Sequence, residues 1–579
     1  MVLCQYFVFR LKSLFFHIVI EFESLKIFMS KLSIYFHTLK YLKFTQVFHR
    51  ILRKLRHPKI RYIEGHCAEK IGGWVTQELY QQKFIGESEV CFLNHIGDVK
   101  HKAGWNDNKE EKLWLYNLHY FDDLNSFDSN ARRGLQSKWV NKWIEDNPAS
   151  FGGNGWEAYT LSLRIVNWTK AFLSGLEHDQ RMLNSLAQQA DFLSQDLEKH
   201  LLGNHYFVNL KALIFAGCFL QGKEADAWLN IALKDFEKEL NEQVLADGGS
   251  FELTPMYHAI MLTDLSDLAN LFKAFPNRVP ESLVLIVDQI IVKMFDWLNI
   301  MNLGDGKVSF FNDSAFGIAP ENDTLKEYVT RLGFTVNQLI IPEDKLVVHN
   351  LHNSGYVSVK TSEICLIADL ASVGPSYIPG HAHADSLSFE LSLGDNRIFV
   401  NSGTSQYGMS PERLRQRGTA AHNTVIVNDK NSSEVWSGFR VAKRANIGCR
   451  NIGKVSSNQT VEFSGTHNGY KKQGINCIHH RHWQVTPNTC VIKDNLEGVY
   501  ESAVGHLHLH PEIHIIEFNE KSCILRTEAY EIAIDLNGAH LSVENSSWHP
   551  EFGVILLSKK LKVQFLQPNV THNICWKRI

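Results

Sequence analysis

The stretch SLSFELSLGDNRIFVNSG, residues 386–403, decides the fold class of the C-terminal half. Two strand-like runs flank LGDN, whose Gly, Asp and Asn are turn formers. The texture repeats on both sides, in EICLIADLAS, HNTVIVND, GHLHLHPEIHIIEF, SCILRTEAYEIAIDLNG and GVILLSKKLKVQFL. Short apolar runs punctuated by turn residues predict an antiparallel all-β domain, most simply a sandwich, over 346–579. In GHLHLHPEIH, His506, His508 and His510 alternate along an expected strand and read as one polar face.

Upstream the period changes. In ARRGLQSKWVNKWIEDNP, Leu135, Trp139 and Trp143 recur at helical spacing and Asn147-Pro148 ends the run. TLSLRIVNWTKAFLSGL, VNLKALIFAGCFL, AIMLTDLSDLANLFKAF and SLVLIVDQIIVKMFDWL repeat the pattern. Recurring helices with short polar connectors predict an α/α array, a solenoid or toroid, over 65–345. The boundary is expected in IIPEDKLVVHNLHN, near 340–352.

The chain has 579 residues, so two cores are expected. A composition of 44% hydrophobic and 21% charged residues describes a folded, soluble protein, and a net charge of -3 selects neither nucleic acid nor membrane. The ten cysteines form no CxxC and read as mostly buried thiols, which favours a reducing compartment and tilts the expected location to the cytoplasm over the periplasm. Residues 1–64 form a separate segment. QYFVFRLKSLFFHIVIEF, residues 5–22, is interrupted by Arg10 and Lys12 and is too short and charged to span a bilayer; no small-residue cleavage site follows. Residues 31–60 carry Lys and Arg but no Asp or Glu. A solvated first helix is the preferred reading of this segment, and a basic amphipathic helix on anionic lipid the other. Met29 is an alternative start.

Three blocks carry groups suited to chemistry. GNHYFVNLKALIFAG places Asn204 and His205 before a long apolar helix, where they serve as a helix cap or as donors to a ligand. DGGSFELTPMYH brings Glu252, Tyr257 and His258, and a tyrosine can protonate a leaving oxygen. PGHAHADSLSFEL places His381 and His383 two residues apart at a strand entry, followed by Asp385, which is expected to order the turn. Downstream, Asn401 and His422 flank strand ends. Zinc needs three or four such donors.

In order along the chain, WEAYTLSLRIVNW, GNHYFVNLKALIFAG, GGSFELTPMYH, GHAHADSLSFEL, NSGTSQYG and RGTAAHNTVIVN resemble the blocks of the heparinase II/III family of polysaccharide lyases, which includes related alginate lyases. Any one block is weak, and the ordered set is strong. The resemblance implies an incomplete (α/α) toroid followed by an antiparallel β-sandwich. It implies β-elimination on a uronic-acid polysaccharide as substrate and partner. Asn204 and His205 would neutralise the uronate carboxylate, His381 would take the C5 proton, and Tyr257 would protonate O4 or serve as both acid and base. Substrate binding is expected from Arg413, Arg417, Tyr407 and Trp156, with Arg415, Trp105 and Trp114 as further candidates. In the family the second histidine binds a structural zinc together with an aspartate and a further histidine. Here the matching positions are His383, Asn401 and His422, and VNSGT stands where the family has VDSGT. A neutral amide is a poor zinc ligand, so zinc is weighed evenly against a metal-free hydrogen-bonded cluster. Two other readings compete with the lyase. One is a toroid glycoside hydrolase using Asp247 with Glu252, or Asp305 with Asp313. The other is an inactive glycan-binding protein of polysaccharide assembly.

Overall fold

The computed structural model describes residues 29, 31–149, 153–337, 339, 341 and 345–579, so the apolar stretch at 5–22 lies outside the described residues. The first helices among the described residues are α1 (31–39) and α2 (Phe44–Leu55). A hairpin of β1 (Glu89–Phe92) and β2 (His95–Asp98) follows, then α3 (Lys112–Tyr120) and α4 (Arg133–Asp146). The main array comprises α5 (Ala158–Leu173), α6 (Gln180–Gln195), α7 (Gly203–Phe219), α8 (Lys223–Gln243), α9 (Pro255–Ala274), α10 (Glu281–Met301) and α11 (Asn322–Arg331).

Local chemistry starts these helices where the sequence suggests. Asp179 caps α6 by accepting from the Met182 amide at 2.8 Å. Thr254 caps α9 by accepting from the Tyr257 amide at 3.2 Å, with Pro255 at the first helical position. Burial then sorts the helices into two layers. Helices α5, α7 and α9 are buried along almost their whole surface, whereas α6, α8 and α10 bury only one face. The three inner helices pack in succession, and α8 and α10 back onto α7 and α9. A helix buried all round carries a mostly apolar composition, as α7 (GNHYFVNLKALIFAGCF) does, with its buried Asn209 and Lys211 paired to Glu198 and Asp264.

The C-terminal half is built on antiparallel sheets. A five-stranded meander runs β3 (Val347–Leu351), β4 (Tyr356–Lys360), β5 (Ile364–Asp369), β6 (Phe389–Leu393) and β7 (Asn396–Phe399). The LGDN turn joins β6 to β7, with Gly394 at φ +50° and Leu393 opposite Asn396. Helix α12 (Pro411–Gln416) precedes β8 (Val425–Val427), and a small ribbon pairs β9 (Val435–Trp436) with β10 (Arg440–Val441). The next strands are β11 (Ile447–Ile452), β12 (Val461–His467), then a short helix α13 (Gly469–Lys472), β13 (Cys477–Val485) and β14 (Thr489–Gly498). The chain finishes with β15 (Ala503–His508), β16 (His514–Phe518), β17 (Ser522–Arg526), β18 (Tyr530–Asn537), β19 (Ala539–Trp548), β20 (Leu556–Phe565) and β21 (Asn569–Arg578). An eight-stranded sheet has the order β11-β12-β13-β14-β21-β18-β17-β16, and a four-stranded sheet the order β19-β20-β15-β8.

All three sheets contribute to one core, with Phe389, Trp483, Leu507, Ile534 and Val563 among its members. Strands β4, β5 and β6 are buried on both faces. Their second face is covered by the end of α10, where Trp297 and Met301 meet Tyr356 and Ile367. Removing a buried tryptophan of this kind costs about 3–5 kcal/mol, so the contact holds the two halves as neighbouring walls. His506 and His508 do share one face of β15, but that face is buried rather than wet: His508 Nε2 meets the Ala420 carbonyl at 2.9 Å and Nδ1 the Ser546 hydroxyl at 3.2 Å.

Candidate active site

The helical and β halves enclose a cavity of about 1240 Å³. Its walls include Asn204, His205, Glu252, Tyr257, His381 and Tyr407, drawn from segments far apart in sequence. The start of α7 brings the first two. Leu202 and Gly203 both take left-handed φ (64° and +57°), turning the chain sharply into the helix. A Cβ on Gly203 would lie 3.2 Å from Glu252 Oε1, so the tight approach of Glu252 needs glycine here. Glu252 Oε1 accepts from the Asn204 amide at 3.4 Å, and Asn204 Nδ2 donates to the Tyr159 hydroxyl at 3.2 Å. His205 Nδ1 meets Glu198 Oε1 at 3.1 Å. Burial opposes a charged ring at His205, but Glu198 outweighs it and raises the pKa above its ordinary value. The result is an imidazolium-favouring ring at a helix N-terminus facing the cavity, suited to a carboxylate.

On the opposite side His381 is held by a carboxylate that sequence reading had assigned only to a hydrolase pair. Asp313, in the loop between α10 and α11, is fully buried. It meets His381 Nδ1 at 2.9 Å, His383 Nε2 at 2.8 Å, Arg413 Nη2 at 2.6 Å and the Thr404 hydroxyl at 3.3 Å, with Arg413 Nη1 as a further donor. Burial alone would raise the Asp313 pKa. The Arg413 charge and the two histidine hydrogen bonds hold it well below the usual carboxylate range. An ionised Asp313 accepts only, so His381 carries a proton on Nδ1, and its Nε2 lies 3.8 Å from Glu252 Oε2. Tyr257 packs against that imidazole, with ring centroids 4.0 Å apart and planes tilted by 31°, and its hydroxyl lies 3.0 Å from the Tyr407 hydroxyl. Burial, then the neighbouring Tyr407 and Tyr159, push the Tyr257 phenol well above its ordinary value. It therefore stays protonated, as an acid must.

Several expectations are corrected. Arg413 is buried against Asp313, with its guanidinium 4.9 Å from the Tyr407 ring centroid, and does not line the cavity. Arg417 is also buried, donating to the carbonyls of Ala382, Ser437 and Arg440. Arg415 pairs with Glu412. None of the three arginines is among the residues lining the cavity. Trp156 packs with Trp143 and Phe192 in the helical core, where Trp105 and Trp114 also lie, and no tryptophan is among the lining residues. The aromatic lining of the cavity includes Tyr80, Tyr116, Tyr159, Tyr377 and Phe439. His258 is structural: it accepts from the Ser250 amide at 3.1 Å, and Nε2 meets the Met294 carbonyl at 2.8 Å. Asp385 is buried in the turn, accepting from the Asn312 amide at 3.4 Å. The hydrolase pairs do not form. Asp247 binds the Ser354 amide at 2.7 Å, and Asp305 is held by Arg397 at 2.7 Å.

Cations that spacing did not flag also line the cavity. Arg50 of α2 and Arg440 of β10 have no ion-pair partner among the described residues, and burial together with Arg440 lowers the Arg50 pKa. At the floor, Lys170 meets Asp267 at 2.8 Å and Lys211 meets Asp264 at 2.6 Å, all four buried.

The implied zinc position is only partly furnished. His383 and His422 have ring centroids 5.2 Å apart, and His383 Nδ1 and His422 Nε2 are buried without partners. Burial, partly offset by Asp313, lowers His383 to about 4, and burial with the neighbouring His383 takes His422 well below its ordinary value. Both rings are thus neutral. However, the third position is held by Asn401, whose Oδ1 engages His422 Nδ1 at 3.1 Å. Two imidazoles and a neutral amide fall short of the donor set of structural zinc. Among the described residues no group of three His, Cys, Asp or Glu side chains is arranged to hold a metal. The residues present do not fit the zinc.

Residues 29–333 match the family model described as Heparinase II/III N-terminus, and residues 344–577 the one described as Heparinase II/III-like, C-terminal. A heparin-sulfate lyase of Bacteroides stercoris is 26% identical over 314 residues, 49% of this chain and 45% of that protein. The FtsZ-localized protein C of Caulobacter vibrioides is 24% identical over 307 residues, 51% of this chain and 48% of that protein. The chain spans about half the length of the curated relatives it matches. The crystal structure of heparinase III superposes with a TM-score of 0.66 at 17% identity, over 83% of this chain and 80% of that one, a likeness of fold.

Proposed function

The chain belongs to the heparinase II/III family, and on that premise we propose that it is a polysaccharide lyase cleaving an acidic, uronate-containing polysaccharide by β-elimination. One observation carries the reading: Asp313 fixes the His381 proton on Nδ1, beside a protonated Tyr257 packed 4.0 Å away. His205 and Asn204 bind the uronate carboxylate, drawing charge from C5. His381 Nε2 removes the C5 proton, the electron pair forms the C4–C5 double bond, and the C4–O4 bond breaks. Tyr257 delivers its proton to O4, and the Tyr407 hydroxyl at 3.0 Å begins the path for its return. Arg50 and Arg440 favour a polymer carrying anionic groups beyond the reacting uronate. No step passes through a metal.

The test is a panel of heparan-type, alginate-type and capsular uronate polymers, followed by ultraviolet absorbance of the unsaturated product. At least one polymer is expected to give an unsaturated end group, lost in His381→Ala. Saturated ends would mean hydrolysis, and tight polymer binding with no turnover on any polymer would mean a binding protein; either sinks the lyase reading.

A further inference from the structure

A surface helix of a soluble protein turns its apolar stripe to the core. Helices α1 and α2 do the reverse. Leu32, Tyr35, Phe36 and Leu39 recur along α1 at helical spacing, and all are exposed. On α2 the exposed row is Phe44, Val47, Phe48, Ile51 and Leu55, with Phe44 81% and Leu55 74% accessible. Ten of the 28 exposed large apolar side chains among the described residues fall between Met29 and Leu55.

It is the polar faces that dock. Gln46 is buried and donates to the Leu201 carbonyl at 3.0 Å; Arg53 binds Asp196 at 3.0 Å; Lys43 pairs with Glu242 and lies 3.9 Å from the Tyr377 ring centroid. The Trp436 indole donates to Thr38 at 3.1 Å. The helices therefore bridge both halves of the molecule through polar contacts and leave a continuous apolar stripe outward.

Charge selects what covers that stripe. Residues 31–60 contain eight Lys and Arg and no Asp or Glu, in a chain of net charge -3. Lys54, Arg56 and Lys59 are exposed and form no ion pair among the described residues. Such a surface repels a second copy of itself and complements an anionic bilayer, and apolar stripes flanked by cations are how interfacial helices bind. We propose that α1 and α2 together dock the protein on an anionic lipid surface, with Phe48, Ile51 and their neighbours entering the headgroup boundary. Because Thr38, Leu42, Gln46 and Arg50 line the cavity from the inward side, docking holds the cavity mouth beside the membrane.

The test is co-flotation of the full chain with phosphatidylcholine vesicles, with and without phosphatidylglycerol. Binding is expected only to the anionic vesicles and should weaken steeply with salt. Phe48→Ser with Ile51→Ser should lower partitioning at least about tenfold while leaving the melting transition in place. Lys54→Glu, Arg56→Glu and Lys59→Glu together should abolish binding. Absence of binding, or equal binding to neutral vesicles, overturns the proposal. So does binding that survives the serine pair but not charge reversal, which would mark a polyanion strip. Self-association through this face, or binding that appears only after residues 1–28 are removed, would identify a protein occupant and likewise overturn it.

Discussion

Replacing Asp313 with asparagine keeps the size of the side chain and removes the charge that organises the catalytic wall. In the native chain four strong donors converge on this carboxylate: His381 Nδ1 at 2.9 Å, His383 Nε2 at 2.8 Å and both terminal nitrogens of Arg413. An amide offers one oxygen and one NH2 group, so at least one donor is left facing another. Arg413, buried, loses its counter-charge, and an uncompensated buried charge costs about 3–5 kcal/mol of stability. A chemical denaturation curve reads that loss. Turnover falls for a separate reason. Without an acceptor at Nδ1 the imidazole is free to carry its proton on Nε2, where a lone pair is needed. Loss of a positioned base is worth about 10²–10⁴-fold. Unsaturated product formed per second should drop by that factor. Asp313→Asn combined with Arg413→Met separates the two effects. Replacing a buried ion pair by neutral packing recovers most of the stability, but turnover stays low. If the single variant turns over at the native rate, or if the double variant regains activity along with stability, Asp313 acts only through the fold and the assignment of the His381 tautomer is wrong.

Tyr257→Phe should lower kcat about 10²–10⁴-fold with little change in KM, and Tyr407→Phe should lower it less, since the donor itself remains; equal losses would make Tyr407 the acid. The raised pKa of His205 means that its charged ring is present below the ordinary value near ~6.5 and is lost as pH rises through the raised value, so KM should climb across that window. Glu198→Gln removes the raising partner and should start the climb at lower pH; superimposable KM profiles would refute the role of His205 as carboxylate neutraliser. Elemental analysis of dialysed protein should find no stoichiometric zinc, and chelation should leave the melting transition unmoved, whereas Asn401→Asp, which supplies the carboxylate, should gain zinc. Tightly held zinc in the native chain would show that the donor-set argument is wrong.

Much of the architecture was legible because periodicity is local. The 3.6-residue spacing of Leu135, Trp139 and Trp143 and the turn in SLSFELSLGDNRIFVNSG are visible within a few residues, and the helix-to-strand change falls between Arg331 and Val347. Asn204, His205, Tyr257, Tyr407 and His381 do converge on one cavity. The roles given to Arg413, Arg417 and Trp156 were not legible. An arginine or tryptophan in a loop or helix has the same sequence signature whether it faces a ligand or a buried aspartate, and its fate depends on partners up to 100 residues away.

By itself, then, the sequence determined two halves of different secondary structure, the blocks to which the proposed acid, base and carboxylate neutraliser belong, and the Asn401 of VNSGT. Only the tertiary structure decided which nitrogen of His381 meets Asp313, which reaches it across 68 residues of chain. It also decided that Asn401 pairs with His422 while His383 turns to Asp313. Finally, it decided which way the stripe on α2 faces. An amphipathic pattern specifies that a helix has two faces, and only its packing against the rest of the molecule specifies which of them meets the outside.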